Sequence, residues 1–346
     1  VEPPHSGVSL RAANWHYLGT TRGRGRDDRT HTATETPKAI YVYALERDWR
    51  RRAGVGPPPP SRHGPLEPGE GLDTRQWAEN EFGGAPLGDK RLSRRLVMSA
   101  QYQSDDPMRA FTAVARGDWP AVKGYYRLID QPEDAQVTPA NILAPHRDRT
   151  VRRMQAQSTV LCIQDGTDLN FTTHPQTSGL GVIGSNQTGA QSLGLHLHST
   201  LAVNPDGLPL GVLRTQFEAP PPKGEAPAEG NKTERWLAGL RDTATLAEDL
   251  SGTQVVNVCD READTFAFFA EQHQHPDVEV LVRAQHDRRL PDGEGRLFET
   301  VRATQIRGHV TVAVDRQSER TKTSKRTARI GRQARTAELA LRYRRV

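Results

Sequence analysis

Cysteine is scarce: Cys162 and Cys259 are the only two in 346 residues, too few for a disulfide framework or a cysteine-built zinc module. No run approaches the ~18 consecutive apolar residues that a membrane-spanning helix needs, and the mean hydropathy is -0.71. The opening Val-Glu-Pro-Pro-His lacks the basic and apolar regions of a signal peptide, so the expected location is the cytoplasm. What the chain has in quantity is glycine, 30 residues, and proline, 24, a composition that implies linkers beside folded segments. Its length suffices for two or three domains at about 150 residues each.

The net charge of +5 is unevenly spread. Residues 301–346 hold 13 Lys/Arg against Asp315, Glu319 and Glu338, which leaves the first 300 residues net acidic. So dense a basic segment favours a polyanion, and nucleic acid is the commonest one. A solvated tail kept open by charge repulsion would have the same composition.

Three stretches punctuate the chain. Pro57–Pro60, within a Gly/Pro-rich run over 54–72, reads as an interdomain linker. Ala219–Gly230 is short enough to join two elements of one domain. The third is the basic Thr/Ser-rich run Arg316–Arg335. Over 73–150 the apolar spacing of Trp77, Phe82, Leu87, Leu92, Leu96 and Val97 predicts a small all-helical module. Within it Lys90, Arg91, Arg94 and Arg95 form i,i+4 pairs, a stripe able to reach phosphates or simply a solvated face.

From about 155 to 290 the pattern alternates. Strands are expected at 159–163, 193–203, 208–217, 255–259 and 278–282, with helices over 233–250 and through Phe266 and Phe269. Asn204-Pro205-Asp206-Gly207 marks a turn. The order predicts an α/β sheet that starts as an antiparallel meander and continues by crossovers. Two of its buried strands end in a carboxylate, Asp165 in CIQDGTD and Asp260 in NVCDREAD, at the edge where α/β sheets carry their sites. A pair of this kind can hold hard divalent cations; each Asp alone can equally cap the next turn. Asp165-Gly166-Thr167 is also similar to the haloacid-dehalogenase phosphatase motif, but Ile163 stands at the nucleophile position and excludes that chemistry. The pairs His196-x-His198 and His273-x-His275 lack a nearby third ligand in sequence.

A wider set of residues carries a family likeness. Trp77-Ala78-Glu79, Phe82, Leu87-Gly88-Asp89, Arg91 and Arg94-Arg95-Leu96, then Gly124-Tyr125-Tyr126-Arg127 and Pro132, continue into Asp165, Arg235-Trp236, Val258 through Asp264, and Val282-Arg283 with His286. Ala334-Arg335-Thr336-Ala337 with Leu339, Leu341 and Arg342 completes it. Together these resemble bacterial DDE transposases of the Tn-five-like (IS-four) group over about residues 75–346, most specifically in the CDREAD block.

The resemblance implies a ribonuclease-H-like mixed sheet over 155–290, with a β-rich insertion over 291–346, preceded by the helical DNA-binding module. It implies cut-and-paste transposition, with Asp165 and Asp260 as two of three catalytic acids and as ligands of two Mg²⁺ (or Mn²⁺) ions. The partner implied is double-stranded DNA, as transposon ends and target, in a nucleoid-associated complex that a homodimer would fit. Lys90, Arg91, Arg94, Arg95 and Arg127 would contact the ends, and Arg283 and His286 would approach phosphates.

The third acid has no counterpart. Its Tyr-x2-Arg-x3-Glu-x6-Lys signature occurs nowhere in these 346 residues, and Glu338 belongs to the insertion's own motif. The expectation is a chain that does not cleave DNA efficiently alone, or a non-catalytic end-binding protein or inhibitor. Residues 1–53, through Ala12-Ala13-Asn14-Trp15, Gly19–His31 and Ile40–Leu45, resemble the end of a DruA-type domain.

Overall fold

The structure, a computed structural model, describes residues 15–20, 38–43, 64–72, 76–132, 134–174, 176–185, 191–220, 232–290, 293, 295–319 and 330–344. The chain divides into a unit over Val1–Gly64 and a second over Pro65–Val346. In the first, β1 (Trp15–Thr20) pairs antiparallel with β2 (Ala39–Tyr43), with a register shift between Tyr17 and Gly19. The remaining positions of the DruA-like resemblance, Pro57–Pro60, most of Ala219–Gly230 and much of Arg316–Arg335 lie outside the described residues.

The second unit is mixed α/β. It opens with α1 (Trp77–Phe82), α2 (Lys90–Asp105), α3 (Phe111–Val114), α4 (Trp119–Ile129) and α5 (Pro139–Gln155). Local chemistry sets their starts. Asp89 caps α2 at the Arg91 amide (2.8 Å), and Asp118 caps α4 at the Ala121 amide (3.1 Å). Thr138 caps α5 at the Asn141 amide (3.2 Å), with Pro139 in the first turn, where a missing amide proton costs nothing. Two small cores hold α1 to α4: Ala85, Leu87, Leu92, Leu96 and Leu128, and Phe111, Val114, Ala115 and Val122.

A six-stranded mixed sheet follows, of β3 (Thr159–Asn170), β4 (Gly181–Ser185), β5 (Gln191–Val203), β6 (Pro209–Glu218), β7 (Gln254–Cys259) and β8 (Val278–Val282). The path runs β4-β5-β3-β7-β8, with β6 also on β5; β3, β5 and β6 are antiparallel, whereas β3, β7 and β8 are parallel. The meander followed by crossovers agrees with the alternation in the sequence. The short strand β4 was not expected: its Gly-Val-Ile-Gly-Ser carries too few apolar positions to register. Between β6 and β7 lies α6 (Lys232–Ala247), whose Trp236, Leu237, Leu240 and Ala244 pack with Val160, Cys162, Val255 and Cys259 in the main core. After β7 come a 3₁₀ turn (Arg261–Ala263), α7 (Phe266–His273) and, beyond β8, α8 (Leu297–Ala303). The last described pair, β9 (Gly308–Val314) and β10 (Arg335–Leu341), forms a separate antiparallel ribbon.

Helix α5 joins both: its Ile142 packs against the cluster of α1 to α4, and its Met154 is fully buried in the main core of the sheet. Gly211 on β6 makes room for it: a Cβ there would stand 2.1 Å from the Thr150 hydroxyl. Within residues 65–72, counted in the linker from composition, Leu66 is buried and its amide is bonded to the Arg152 carbonyl at 3.0 Å.

The bond between α1 and this core is ionic. Buried Glu81 accepts from Arg149 Nε at 2.8 Å, from Arg153, and from His146 Nδ1 at 2.6 Å. His146 Nε2 in turn accepts from the Val212 amide on β6 at 2.9 Å, which fixes the imidazole proton on Nδ1. Burial alone would raise the Glu81 pKa, but the three donors outweigh it and hold it at about 2. The stability this carboxylate contributes is present above its unfolded value of ~4.5 and lost as pH falls towards about 2. Glu81→Ala, which strands the buried Arg153, should cost about 3–5 kcal/mol, read as a fall in the urea midpoint.

Candidate active site and DNA-contacting helices

The sheet's buried alternation gives out at the same level on two neighbouring strands. On β3 it ends at buried Gln164 and on β7 at buried Cys259; the next residues, Asp165 and Asp260, are exposed. Because β3 and β7 are parallel and last paired at Ile163 and Val258, each aspartate stands two positions beyond that pair. Adjacent strands are ~4.8 Å apart, so register alone brings the carboxylates together. Both line one cleft of about 470 Å³, with Asp168, His196, Arg235 and Glu262 among its walls.

Each aspartate spends one oxygen locally. Asp165 Oδ1 accepts from the Gly166 amide at 2.8 Å, and Asp260 Oδ1 caps the 3₁₀ turn at the Glu262 amide, 2.7 Å. Asp260 therefore has the capping role, whereas Asp165 lies within β3 and caps no helix or turn; among the described residues neither Oδ2 has a protein donor. The acids in the cleft outnumber its free cations: Arg235 is bonded to Glu218 at 2.7 Å, and His196 Nδ1 to Asp168 at 2.9 Å. Among the described residues no group of three or more His, Cys, Asp or Glu is arranged to hold a metal ion.

A buried polar chain fixes the strands beneath the aspartates. His198 Nε2 donates to Gln164 Oε1 (2.9 Å), Gln164 Nε2 to Asn257 Oδ1 (2.9 Å), and Asn257 Nδ2 to the Thr243 hydroxyl on α6 (3.0 Å). Trp236 meets the His198 ring edge-on at 4.6 Å. Helix α6 comes this close because residue 239 is glycine; a Cβ there would lie 2.1 Å from Gln164 Oε1. Burial pushes both thiols up to about 12, that of Cys259 with help from the Asp260 charge, so neither is a nucleophile at neutral pH.

The structure separates residues that the sequence grouped. His196 and His198 share a face, as period two requires, but His196 lines the cleft and His198 is a buried member of the polar chain. Arg283 and His286 are exposed and do not line the cleft. Their backbone is tied down: the Arg283 amide donates to the Cys259 carbonyl (3.1 Å), and the His286 amide to buried Asp264 (2.9 Å). Asp264 also binds the Gln285 amide (2.6 Å) and Arg288, so the second aspartate of CDREAD is a loop anchor. Burial opposes its ionisation, but these donors keep its pKa low.

Glu262, Asp168 and His196 escaped the sequence reading as members of the cleft. The signal for the last two is their direct cross-strand pairing, visible only once the β3–β5 register is known. On α2, Lys90, Arg91 and Arg94 are exposed and Arg95 half-buried, as is Arg127 exposed on α4. Arg91 is committed to Asp89, with Nε to Oδ2 at 2.9 Å and Nη2 to Oδ2 at 2.8 Å.

Residues 74–133 match the transposase DNA-binding family. The match spans α1 to α4 and less than half of the chain, and it supports a transposase-type protein with DNA as the partner of this segment. No helix among the described residues is long and apolar enough to cross a membrane.

The His198 imidazole, pushed down to about 4 by burial and by the positive charge of Arg214, makes the sheet's core acid-sensitive. An unfolded imidazole titrates near ~6.5, so between there and about 4 the unfolded chain binds a proton that the native state refuses. Stability should fall by roughly 3 kcal/mol over that window. His198→Gln should flatten the slope in urea titrations run across it.

Proposed function

We propose that this chain is a DNA transposase of the DDE class, of the Tn-five-like (IS-four) group, working on a ribonuclease-H-like sheet. The observation that carries this reading is the pair Asp165 and Asp260, register-matched on parallel strands in one cleft, each with an oxygen free of protein donors. An acidic cleft repels a phosphodiester unless cations enter with it. Mg²⁺ or Mn²⁺ suits such a site, since it takes one or two protein carboxylates and completes its shell with water and substrate phosphate oxygens. The two carboxylates fit that donor set.

Asp165 and Asp260 would hold the ions, and their Oδ1 bonds to backbone amides keep the carboxylates from turning away. Bound divalent ions supply activation of the attacking water or 3′-hydroxyl and stabilisation of the leaving oxygen. The exposed cations of α2 and Arg127 bind transposon-end duplex. The first 53 residues are similar to part of a DruA-type domain.

A second reading rests on the absent Tyr-x2-Arg-x3-Glu-x6-Lys spacing: with two acids of three, the chain occupies transposon ends without cutting them. Groups that act as one catalytic unit fail together rather than in proportion. The isolated chain should therefore bind Mn²⁺, seen by electron paramagnetic resonance, with affinity at least about tenfold weaker in Asp260→Ala, a loss of ~1.4 kcal/mol. Cleavage of end-bearing duplex in Mg²⁺ should stay at background; turnover that Asp260→Ala abolishes would show that the chain needs no third acid. Replacing Arg91, Arg94 and Arg95 together should weaken duplex binding and its salt dependence. Unchanged binding would remove α2 from the DNA interface.

A further inference from the structure

We propose that Asp168 and His196 form a proton-accepting dyad in the cleft, in which His196 Nε2 takes the hydroxyl hydrogen of the nucleophile that attacks a phosphodiester. The inference rests on the metal-dependent reading of Asp165 and Asp260 and deepens it with two residues that lie outside the family match.

Strand register builds the pair. Asp168 on β3 stands directly opposite His196 on β5, so the two side chains leave the sheet on one face. Asp168 Oδ1 lies 2.9 Å from His196 Nδ1. A carboxylate can only accept, so the ring proton sits on Nδ1 and Nε2 keeps its lone pair. Among the described residues Nε2 has no hydrogen-bond partner of its own. The imidazole is 19% exposed, against 52% for Asp168. A surface ion pair contributes little stability, and a largely enclosed ring with one nitrogen unspent is aimed at something other than its own strand.

The place of that nitrogen is specific. Residue 166, next after Asp165, is glycine, and a Cβ there would stand 3.0 Å from His196 Nε2 and 3.3 Å from Cε1. The ring edge therefore lies against the backbone that carries the first aspartate. Gly166 and His196 line the same cleft as Asp165, Asp260 and Glu262. The other imidazole on this face of β5, His198, is buried, bonded to Gln164, and does not line the cleft. Arg235, the remaining cation of the walls, is held by Glu218.

A lone pair on nitrogen complements an O–H group and not a phosphate oxygen, which itself only accepts. Mg²⁺ prefers oxygen ligands, which leaves the nitrogen to the hydroxyl. As the nucleophile's oxygen bonds to phosphorus, its O–H bond breaks and the proton passes to Nε2. The bond from phosphorus to the leaving oxygen breaks with its electron pair, and that oxygen takes a proton from water. The hydroxide left behind recovers the proton from the ring. While the imidazolium lasts, the charge of Asp168 offsets it. His196 is thus a catalytic residue and Asp168 a positioning one.

The test is hydrolysis of the p-nitrophenyl ester of thymidine 5′-phosphate by the full chain in Mn²⁺. Nitrophenolate departs without a proton, so the reaction reads the attacking side. His196→Gln should lower kcat about a hundredfold, on the scale of proton transfer by a placed side chain, with KM unchanged. Asp168→Asn, whose amide can donate to Nδ1 and move the ring proton to Nε2, should lower kcat in the same sense. Nitrogen NMR of the imidazole should record that change of tautomer. His196→Ala should regain rate when free imidazole is added, a rescue that a structural role would not allow. Full rate in His196→Gln or Asp168→Asn, or no rescue of His196→Ala, would overturn the dyad. So would nitrogen modulation in the electron paramagnetic resonance of bound Mn²⁺ that disappears in His196→Gln, because His196 would then be a metal ligand. A parent chain that binds Mn²⁺ yet leaves the ester intact overturns it as well, whereas one that binds no Mn²⁺ brings down the metal reading beneath it.

Discussion

The parallel pairing of β3 with β7 is the constraint on which the candidate site depends. Neither Asp165 nor Asp260 is placed by its own contacts beyond one amide each; their proximity is inherited from strand register. The register is specified twice, by apolar residues that alternate into the core and by the buried Gln164–Asn257 hydrogen bond, which spans the two strands. A one-residue slip would turn every side chain of the slipped strand to the other face, carrying its amide out of the core and leaving the amide of the other strand buried without its partner. The polar chain thus costs desolvation and returns a single allowed alignment. Its continuation to His198 and Thr243 extends the same alignment to β5 and α6.

A second polar cluster does comparable work between layers. Glu81 lies in the segment that matches the transposase DNA-binding family, whereas its partners His146, Arg149 and Arg153 lie on α5, outside that match. Since α5 shares the sheet's core through Met154, the buried carboxylate couples the family-matched helices to the sheet by directional bonds rather than by apolar contact alone. Breaking it would leave two guanidinium groups with no equivalent acceptor, so the interface has little tolerance for partial opening.

Much of this was legible in the sequence where a local rule sufficed. Strand alternation at 159–163 and 255–259, and the turn at Asn204–Gly207, follow from period two and from turn chemistry; they located Asp260 at the end of β7, whereas β3 runs past the expected end at Asp165 to Asn170, because its pairing with β5 continues after that with β7 stops. What stayed hidden depends on partners distant in the chain. Asp264 and Asp260 look alike in CDREAD, yet one anchors the 283–288 segment and the other lines the cleft, a distinction decided by where β8 returns. The same is true of His196 and His198, which period two cannot separate. Arg91, one of four similar cations in sequence, is singled out by the capping aspartate two residues before it.

The distribution of charge gives the division of labour its physical logic. A cleft dominated by carboxylates cannot supply affinity for a polyanion, and a basic helical surface cannot hold divalent cations. On the proposed reading, placing the two properties on separate elements of one folded unit would let duplex binding and cation binding each be favourable without cancelling the other. The cleft would, on that same reading, accept a phosphodiester only in company with cations, and any chemistry at Asp165 and Asp260 would be conditional on metal even with DNA already held.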